Sequence, residues 1–349
     1  MEKILLIRRD NIGDLVCTTP MFAALRKHYP DARIDVLVNS YNGPVIEGNP
    51  YIDHLYAYTK AKHRLPHETV LGVYWRRLLM LWAMRQLRYD WVIVVGSGYL
   101  YKVIRMARLL APRRIVAFVP PEQPRHVSVL GLDGASSRPL NEVEDVYRLL
   151  APLHLNDAPG PTLVIPDFAK VEQMRARCPA GEGPLIGVHI SSRLPRQRWS
   201  VENFVELICA LHAQYGARCL LLWSPGRADN PFHPGDDEKA AAILAAAKHR
   251  GAAVQACATQ QLADLMAALS LCEQVICSDG GAMHIAAGLG KPMVCFFGGV
   301  DETRWYPWQV AHVLLSKPSG LVEDISPQEA LAAYAELCQK KLAHGLGSL

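Results

Sequence analysis

Short uninterrupted runs of apolar residues recur along the chain and alternate with longer segments in which apolar residues return at helical spacing. Runs of the first kind are typical of parallel strands buried on both faces, and segments of the second kind are typical of helices with one buried face. In the first half, the pattern predicts strands at residues 3–8, 33–39, 91–95 and 114–119, with helices from Thr19 onward and over residues 102–110. This order predicts an α/β fold with a parallel sheet and right-handed crossovers.

A second unit of the same kind is predicted after the proline- and glycine-rich stretches at residues 159–166 and 179–184. Its strands are predicted at residues 185–190, 218–223, 254–257, 275–278 and 293–297, with a helix over 201–213. A last helix is expected to begin at Ser326, because Pro327 and Glu329 complete a capping box with proline in the first turn.

The pattern therefore predicts two doubly wound domains that face each other across a cleft, since ligands bind outside the carboxyl ends of parallel strands. We expect the first domain over residues 1–165, the second over 182–325 and a terminal helix in 326–349.

Composition narrows the class of protein. The 349 residues are 50% hydrophobic and 20% charged, which is typical of globular proteins. No apolar run approaches the roughly 20 residues that span a bilayer, and the first residues lack the apolar core of a signal peptide, so we expect a cytoplasmic protein. The nine cysteines form no C-x-x-C pair, and we therefore expect neither a zinc site nor a disulfide.

The charge is distributed unevenly along the chain. The net charge of +4 does not indicate a nucleic-acid partner, yet residues 60–126 hold thirteen Lys and Arg against three acidic residues. Such a segment attracts anions, although a solvated helical face would have the same composition. Aromatic residues interleave with these cations, and residues 70–84 are apolar enough to lie against a membrane surface or a lipid-linked acceptor. Burial of the aromatic residues within the first domain is the alternative.

Four strand-end segments contain the candidate chemistry. Asp14 follows the first strand, where a carboxylate could take a proton from a substrate hydroxyl or could only cap a helix. The loop is not a dinucleotide fingerprint, because G-x-G-x-x-G is absent. After the strand at 185–190, Ser191, Arg196 and Arg198 precede a helix and predict a diphosphate site, since guanidinium groups bind phosphate in a bidentate manner.

Two further segments add weaker signals. Glu238 begins a helix and could bind ribose hydroxyls, although acidic helix starts are common. Asp279, Gly280 and Gly281 follow a strand and open a helix of small residues, so backbone N–H groups could approach a phosphate. His284 follows in the same helix and is a candidate ligand contact.

Three motifs occur in one order along the chain: the loop of Gly13 and Asp14, the arginine-rich turn before Trp199, and the segment from Ser278 to His284. Together they resemble glycosyltransferase family 9, the heptosyltransferases of lipopolysaccharide core synthesis. The resemblance implies a GT-B fold of two Rossmann-like domains and a last helix that crosses back to the first domain. It also implies an inverting transfer from ADP-heptose to an inner-core sugar, with no cofactor and no bound metal.

The resemblance also implies roles for individual residues. Asp14 looks like the general base, and the spacing to Trp199 leaves the choice between Arg196 and Arg198 as the diphosphate ligand open. The remaining donor-binding residues are Ser191, Glu238, Asp279, Gly280, Gly281 and His284. Many family members have threonine where this chain has Gly280, which removes a hydroxyl contact and weakens the assignment of the donor.

The implied partners are an ADP-heptose donor and an anionic glycolipid acceptor at the cytoplasmic face of the inner membrane, with peripheral membrane contact. The acceptor would be bound by basic residues of the first domain: Lys60, Lys62, Arg64, Arg76 and Arg77. A protein acceptor and a nucleotide-sugar epimerase of the same fold are the alternatives. An epimerase would convert the donor without an acceptor, so incubation with donor alone separates the classes.

Overall fold

A computed structural model describes residues 1–59, 69–123, 128–178, 181–230 and 234–343 of the chain. It divides into two compact units, Met1–Leu163 and Val164–Leu349. The division lies close to residue 165, the predicted end of the first domain. The functional limits of the two domains stay a prediction.

The first unit is a parallel sheet of six strands covered by helices. Its strands are β1 (Lys3–Ile7), β2 (Arg33–Asn39), β3 (His54–Tyr58), β4 (Trp91–Val94), β5 (Arg114–Phe118) and β6 (Val129–Leu132). Its helices are α1 (Ile12–Val16), α2 (Thr19–His28), α3 (Val70–Gln86), α4 (Tyr101–Leu109) and α5 (Glu142–Tyr147). The strand order β3-β2-β1-β4-β5-β6 is that of a Rossmann domain.

The core of this sheet explains the predicted strands. Strands β1, β2, β4 and β5 are almost fully buried, which agrees with their largely apolar sequences. Helices α3 and α4 pack on one common core through side chains such as Leu81, Met84 and Met106. Gly13 and Asp14, which we expected in a loop, lie in α1, and Gly13 does not have a positive φ.

The second unit repeats this design. Its strands are β7 (Leu185–His189), β8 (Arg218–Trp223), β9 (Val254–Ala258), β10 (Gln274–Ser278), β11 (Met293–Phe297) and β12 (His312–Ser316). Its helices are α6 (Phe168–Arg177), α7 (Val201–Tyr215), α8 (Asp237–His249), α9 (Leu262–Leu271), α10 (Gly281–Gly288), α11 (Glu302–Trp305) and α12 (Pro327–Ala343). The order β12-β11-β10-β7-β8-β9 is again the Rossmann order, and all neighbours are parallel.

The last helix begins as predicted. Ser326 and Glu329 form the reciprocal capping box, with Glu329 accepting from Ser326 N at 2.9 Å and Ser326 Oγ accepting from Glu329 N at 3.2 Å. The buried residues Ala333, Tyr334 and Leu337 belong to the core of the second unit, and α12 contacts α7, β11 and β12. The helix is therefore assigned to the second unit. A contact of residues 326–349 with the first domain stays a prediction.

Two general features complete the fold. None of the described helices is long and apolar enough to cross a membrane. All nine cysteines lie in described segments as free thiols, and six of them are buried.

Candidate active site

The candidate site of the first unit lies where β1 ends. Arg8 follows the last residue of this strand, and its side chain is completely buried. Its Nη2 donates to Asp14 Oδ1 and to Glu142 Oε1, both at 2.7 Å, and its Nε lies 3.2 Å from Asp10 Oδ2. One buried guanidinium therefore holds three carboxylates, which we call the Arg8 cluster.

The charges of the Arg8 cluster depend on one another. Burial by itself lowers the pKa of Arg8, but the carboxylates of Asp14, Glu142 and Asp10 outweigh it and raise that pKa. The guanidinium therefore stays charged, and removing Arg8 would leave the buried carboxylate of Glu142 without its counter-ion. Glu142 is completely buried and also accepts from Ser97 Oγ at 2.9 Å.

Asp14 is the member of the cluster that combines fixed geometry with access. Its Oδ2 accepts from Asn11 N at 3.0 Å, while Oδ1 is held by Arg8, so both oxygens have defined positions. About an eighth of the side chain is exposed, at 13%. A carboxylate held in this way can accept a proton from a hydroxyl that reaches its exposed edge.

Neighbouring strands fix the loop that contains Asp10. Asn39, at the end of β2, donates from Nδ2 to the carbonyl oxygens of Arg9 and Asp10, each at 3.1 Å. Asn42 donates from Nδ2 to the same Asp10 oxygen at 3.2 Å. Two amide side chains thus position the backbone around the Arg8 cluster.

A second basic feature lies on the ring of Tyr58, at the end of β3. The guanidinium carbon of Arg77 is 4.5 Å from the ring centroid and that of Arg9 is 5.2 Å from it. Burial lowers the pKa of Arg77, and the nearby charge of Arg9 lowers it further. Of the predicted acceptor residues, Arg77 is thus half-buried beside the loop of Asp14, and Arg76 is exposed on α3. Lys60, Lys62 and Arg64 lie outside the described residues.

A cavity of about 420 Å³ lies beside the carboxyl ends of β5 and β6. It is lined by both apolar and polar groups, among them Tyr99, Arg108, Val119 and Asp133. Its volume and mixed lining are suitable for part of a sugar or a small polar ligand.

The candidate site of the second unit lies where β7 and β10 end. Gln197 is buried there and connects the two strand ends: its Nε2 donates to Asp279 Oδ2 at 2.8 Å, and its Oε1 accepts from Ser192 Oγ at 2.9 Å. Its carbonyl oxygen accepts from Ser278 Oγ at 2.8 Å. Gln197 thereby fixes the arginine-rich turn against the segment that opens α10.

The two candidate arginines have different environments. Arg198 donates from Nε to Ser192 O at 3.0 Å, and its Nη1 lies 3.9 Å from the buried Asp236. Arg196 is exposed, and within the described part of the chain its guanidinium makes no ion pair. The backbone of its turn packs closely on Gly298, where a Cβ would lie 2.4 Å from Arg196 O. Arg196 is the arginine whose guanidinium is available to an external anion.

The segment after β10 has the backbone expected of an anion site. Gly280 has a φ of +147°, a conformation that side chains rarely adopt, and it is the N-cap of α10. The free N–H groups at the start of this helix favour a negative charge. Burial raises the pKa of the Asp279 carboxyl to about 6. His284 is buried within α10, with its ring 5.8 Å from that of Trp305.

The remaining predicted residues lie at the end of β7 and the start of α8. Ser191 Oγ accepts from Ser224 N at 2.9 Å and so joins the ends of β7 and β8. Asp237 accepts from Trp223 Nε1 at 2.7 Å and from Gly226 N at 2.9 Å, whereas the next residue, Glu238, is exposed. Of the two adjacent acids, Glu238 is the one available to a ligand.

Sequence reasoning missed several residues of the site. Arg8 and Glu142 are 134 positions apart, although each has a local signal: a cation at a strand end, and the start of a helix with a capping box. Gln197 lies between the two candidate arginines, and the sequence did not identify it as a residue of the site. Lys239 also went unnoticed; it donates to Ile190 O at 3.4 Å, and burial lowers its pKa.

Several known proteins are similar to this chain over most of its length. Lipopolysaccharide heptosyltransferase 3 of Escherichia coli is 26% identical over 85% of this chain and 83% of its own. A glycosyltransferase family 9 structure from Veillonella parvula has a TM-score of 0.78 at 18% identity, covering 97% of this chain and 98% of its own. The E. coli ADP-heptose lps heptosyltransferase II has a TM-score of 0.73 at 20% identity, covering 97% and 99%.

These structural likenesses establish the fold as GT-B, a fold with two Rossmann-like domains. The profile of glycosyltransferase family 9 (heptosyltransferase) matches residues 121–334, more than half of the chain. This chain is therefore a glycosyltransferase and belongs to glycosyltransferase family 9, the heptosyltransferase family.

Proposed function

We propose that this protein transfers a heptosyl group from ADP-heptose to an inner-core sugar of a lipopolysaccharide precursor, with inversion at the anomeric carbon. The proposal rests mainly on the geometry of Asp14. Its carboxylate is partly exposed, and hydrogen bonds from Arg8 and from Asn11 N hold its two oxygens. Family membership supports the reaction class, and the activities named for similar proteins support the donor and the acceptor.

Asp14 is proposed to act as the general base. It takes the proton from the acceptor hydroxyl as that oxygen attacks the anomeric carbon, and the bond to the diphosphate breaks in the same step. One carboxylate is sufficient, because a single displacement forms no covalent intermediate on the enzyme. The hydrogen bonds from Arg8 and Asn11 N reduce the freedom of the carboxylate, so that it meets the hydroxyl in one orientation.

The departing diphosphate is proposed to bind the second unit. Arg196 supplies the exposed guanidinium, and the start of α10 at Gly280 and Gly281 supplies backbone N–H groups. Asp279 fixes this segment through Gln197 rather than contacting the anion, since a carboxylate would repel it. Positive charge from these groups stabilises the leaving group in the transition state, and the transfer is expected to need no metal.

The exposure and burial of the other side chains indicate the remaining contacts with the donor. Glu238 is available for the ribose hydroxyls, and Arg198 positions the turn that presents Arg196. Ser191 and His284 are proposed to shape the floor of the donor site, because Ser191 joins two strand ends and His284 is buried in α10.

The acceptor is proposed to be an anionic glycolipid at the cytoplasmic face of the inner membrane, with the protein in peripheral contact with that membrane. Arg77, beside Arg9 on the Tyr58 ring, would bind its carboxylates or phosphates, together with Arg76, Lys60, Lys62 and Arg64.

The test is a product assay with the purified full chain. We expect ADP-heptose and a truncated inner-core acceptor to give a product heavier by one heptosyl residue, together with free ADP. UDP-sugars should give no product. Conversion of the donor in the absence of acceptor would indicate an epimerase, and transfer to a polypeptide but not to the glycolipid would indicate a protein acceptor. Either result would overturn the proposal.

A further inference from the structure

We propose that helix α3 docks the protein on the surface of an anionic lipid bilayer. The proposal rests on an exposed apolar face of this helix, which we call the α3 stripe. The stripe consists of six large side chains: Leu71, Tyr74, Trp75, Leu78, Leu79 and Trp82. The inference deepens the proposed function and rests on it in one respect, namely that a lipid-linked acceptor lies at such a surface.

The side chains of the α3 stripe are large and mostly apolar, yet they are exposed to solvent. Leu71, Trp75 and Trp82 are 82%, 63% and 65% exposed, and the other three members are at least half exposed. Residues 71, 75, 78 and 82 recur at helical spacing and so lie along one side of α3. Leu81 and Met84 are buried in the core of the first unit. A contiguous apolar patch of this kind marks an interaction surface.

The neighbouring helix α4 adds positive charge beside the stripe. It lies next to α3, because Arg85 Nη1 donates to Leu109 O at 2.6 Å and Arg77 Nη2 lies 3.4 Å from Met106 Sδ. Its exposed residues are Tyr101, Lys102, Arg105, Arg108 and Leu109. Neither α3 nor α4 contains Asp or Glu, and Arg113 and Arg114 are exposed just after α4.

These observations favour one occupant. Tryptophan and tyrosine beside lysine and arginine are the side chains that lie at the boundary between lipid headgroups and acyl chains. Anionic headgroups complement the cations of α4, and each added cation strengthens binding. A second copy of the chain fits less well, because a two-fold contact through α3 would bring the basic α4 helices of both copies together.

The experiment measures binding of the full chain to vesicles without any substrate. We expect flotation with vesicles that contain phosphatidylglycerol and weaker flotation with phosphatidylcholine alone. Combining Trp75→Gln with Trp82→Gln should lower the partition coefficient at least about tenfold, since both rings lose their burial in lipid. The matched control is Phe168→Gln, which removes a 72% exposed aromatic side chain from α6 and should leave binding unchanged.

A second pair of substitutions tests the charge. Arg105→Gln with Arg108→Gln should weaken binding several-fold on anionic vesicles and reduce its dependence on salt, with little change on neutral ones. Equal binding of the parent and the tryptophan variant, or no binding by the parent, would overturn the proposal. Self-association that requires Trp75 and Trp82, without vesicle binding, would assign the stripe to a second copy.

An activity assay with a water-soluble, deacylated acceptor tests the proposed function separately from membrane docking. The tryptophan variant should match the parent there and should lose activity only on acceptor embedded in vesicles. A parent that binds vesicles but transfers no heptose would refute the proposed function and leave the docking surface intact.

Discussion

The two units share one strand order, yet their strands end in opposite chemistry. In the first unit, three carboxylates surround the buried guanidinium of Arg8 at the end of β1. In the second, β7 and β10 lead into hydroxyls, the amide of Gln197 and glycines, and Arg196 extends outward. The topology determines where a site forms, and the few residues after each strand determine what it can bind.

The two units also differ in how they hold the polar groups at their strand ends. The first relies on a buried guanidinium, whose desolvation is offset by its carboxylate partners. The second relies on the amide of Gln197, which bonds the hydroxyl of Ser192 and the carboxyl of Asp279. Substitutions among the buried charges of the first unit should therefore have the larger consequences.

The largest expected effect is at Asp14. Asp14→Asn removes the proposed base with little change in size, and we expect kcat to fall about 10²–10⁴-fold. Initial rates at saturating donor and acceptor measure this. Asp10→Asn is the matched control, because Asp10 also contacts Arg8 but is 39% exposed at the edge of the cluster. Turnover within about threefold of the parent would remove Asp14 from the mechanism.

The next effect is on donor affinity. Arg196→Gln removes the exposed guanidinium and should weaken ADP binding about tenfold or more, as expected for a lost charge-assisted hydrogen bond. Calorimetric titration with ADP gives the value. Arg193→Gln removes an exposed cation from the same turn and should have little effect. Weaker ADP binding by Arg198→Gln than by Arg196→Gln would exchange the roles of the two arginines.

A smaller effect concerns stability and pH at Asp279. Its pKa in the folded protein is raised to about 6, from an ordinary value of 3.8, because it is buried. The folded state therefore binds the proton more tightly than the unfolded state does, and this carboxyl lowers the free energy of unfolding as pH rises from about 4 to about 6. Asp279→Asn abolishes that loss. The Tm of the variant relative to the parent should increase by a few degrees between pH 5 and pH 8.

The control for this prediction has the opposite sign. Hydrogen bonds from Thr303 lower the pKa of Asp301, so its contribution to stability is present above the ordinary pKa and is lost as pH falls. Asp301→Asn should therefore cost the same stability at pH 8 and at pH 5, and less only when the pH falls below about 4. A Tm difference for Asp279→Asn that does not change with pH would contradict the assigned pKa.

The smallest effect is expected from chelation. If arginine and helix N–H groups neutralise the diphosphate, added EDTA should change the transfer rate less than about twofold. Loss of transfer on chelation, restored by added magnesium, would show that the second unit needs a metal to hold the leaving group.

The sequence predicted the central strands well and missed three edge strands. Buried strands such as β1 and β11 are continuous apolar runs, which the pattern reveals directly. Strands β3, β6 and β12 lie at the edges of their sheets and are only partly buried, so their sequences lack that signal. Burial on one side of a sheet depends on tertiary neighbours, which a single sequence does not specify.

Some candidate residues could be proposed from the local sequence, whereas other contacts of the two units could not. Asp14 lies in α1, the first helix after β1, and the segment from Asp279 to His284 directly follows β10, so the local sequence was sufficient to propose them as candidates. The contact of Arg8 with Glu142 joins residues 134 positions apart, and no local pattern indicates such a pair. To choose between Arg196 and Arg198, one must know which guanidinium contacts other residues of the protein. Arg198 does, through Ser192 O and Asp236.

The central claim is that Asp14 acts as the general base of a single displacement. The stereochemistry of the product tests this claim most directly, because such a displacement inverts the anomeric centre. Proton NMR of the new glycosidic linkage, compared with the donor, gives the answer. The account predicts an inverted configuration, and Asp14→Asn should form the same anomer more slowly. Retention of configuration would require a covalent intermediate or front-face attack, and would contradict the role assigned to Asp14.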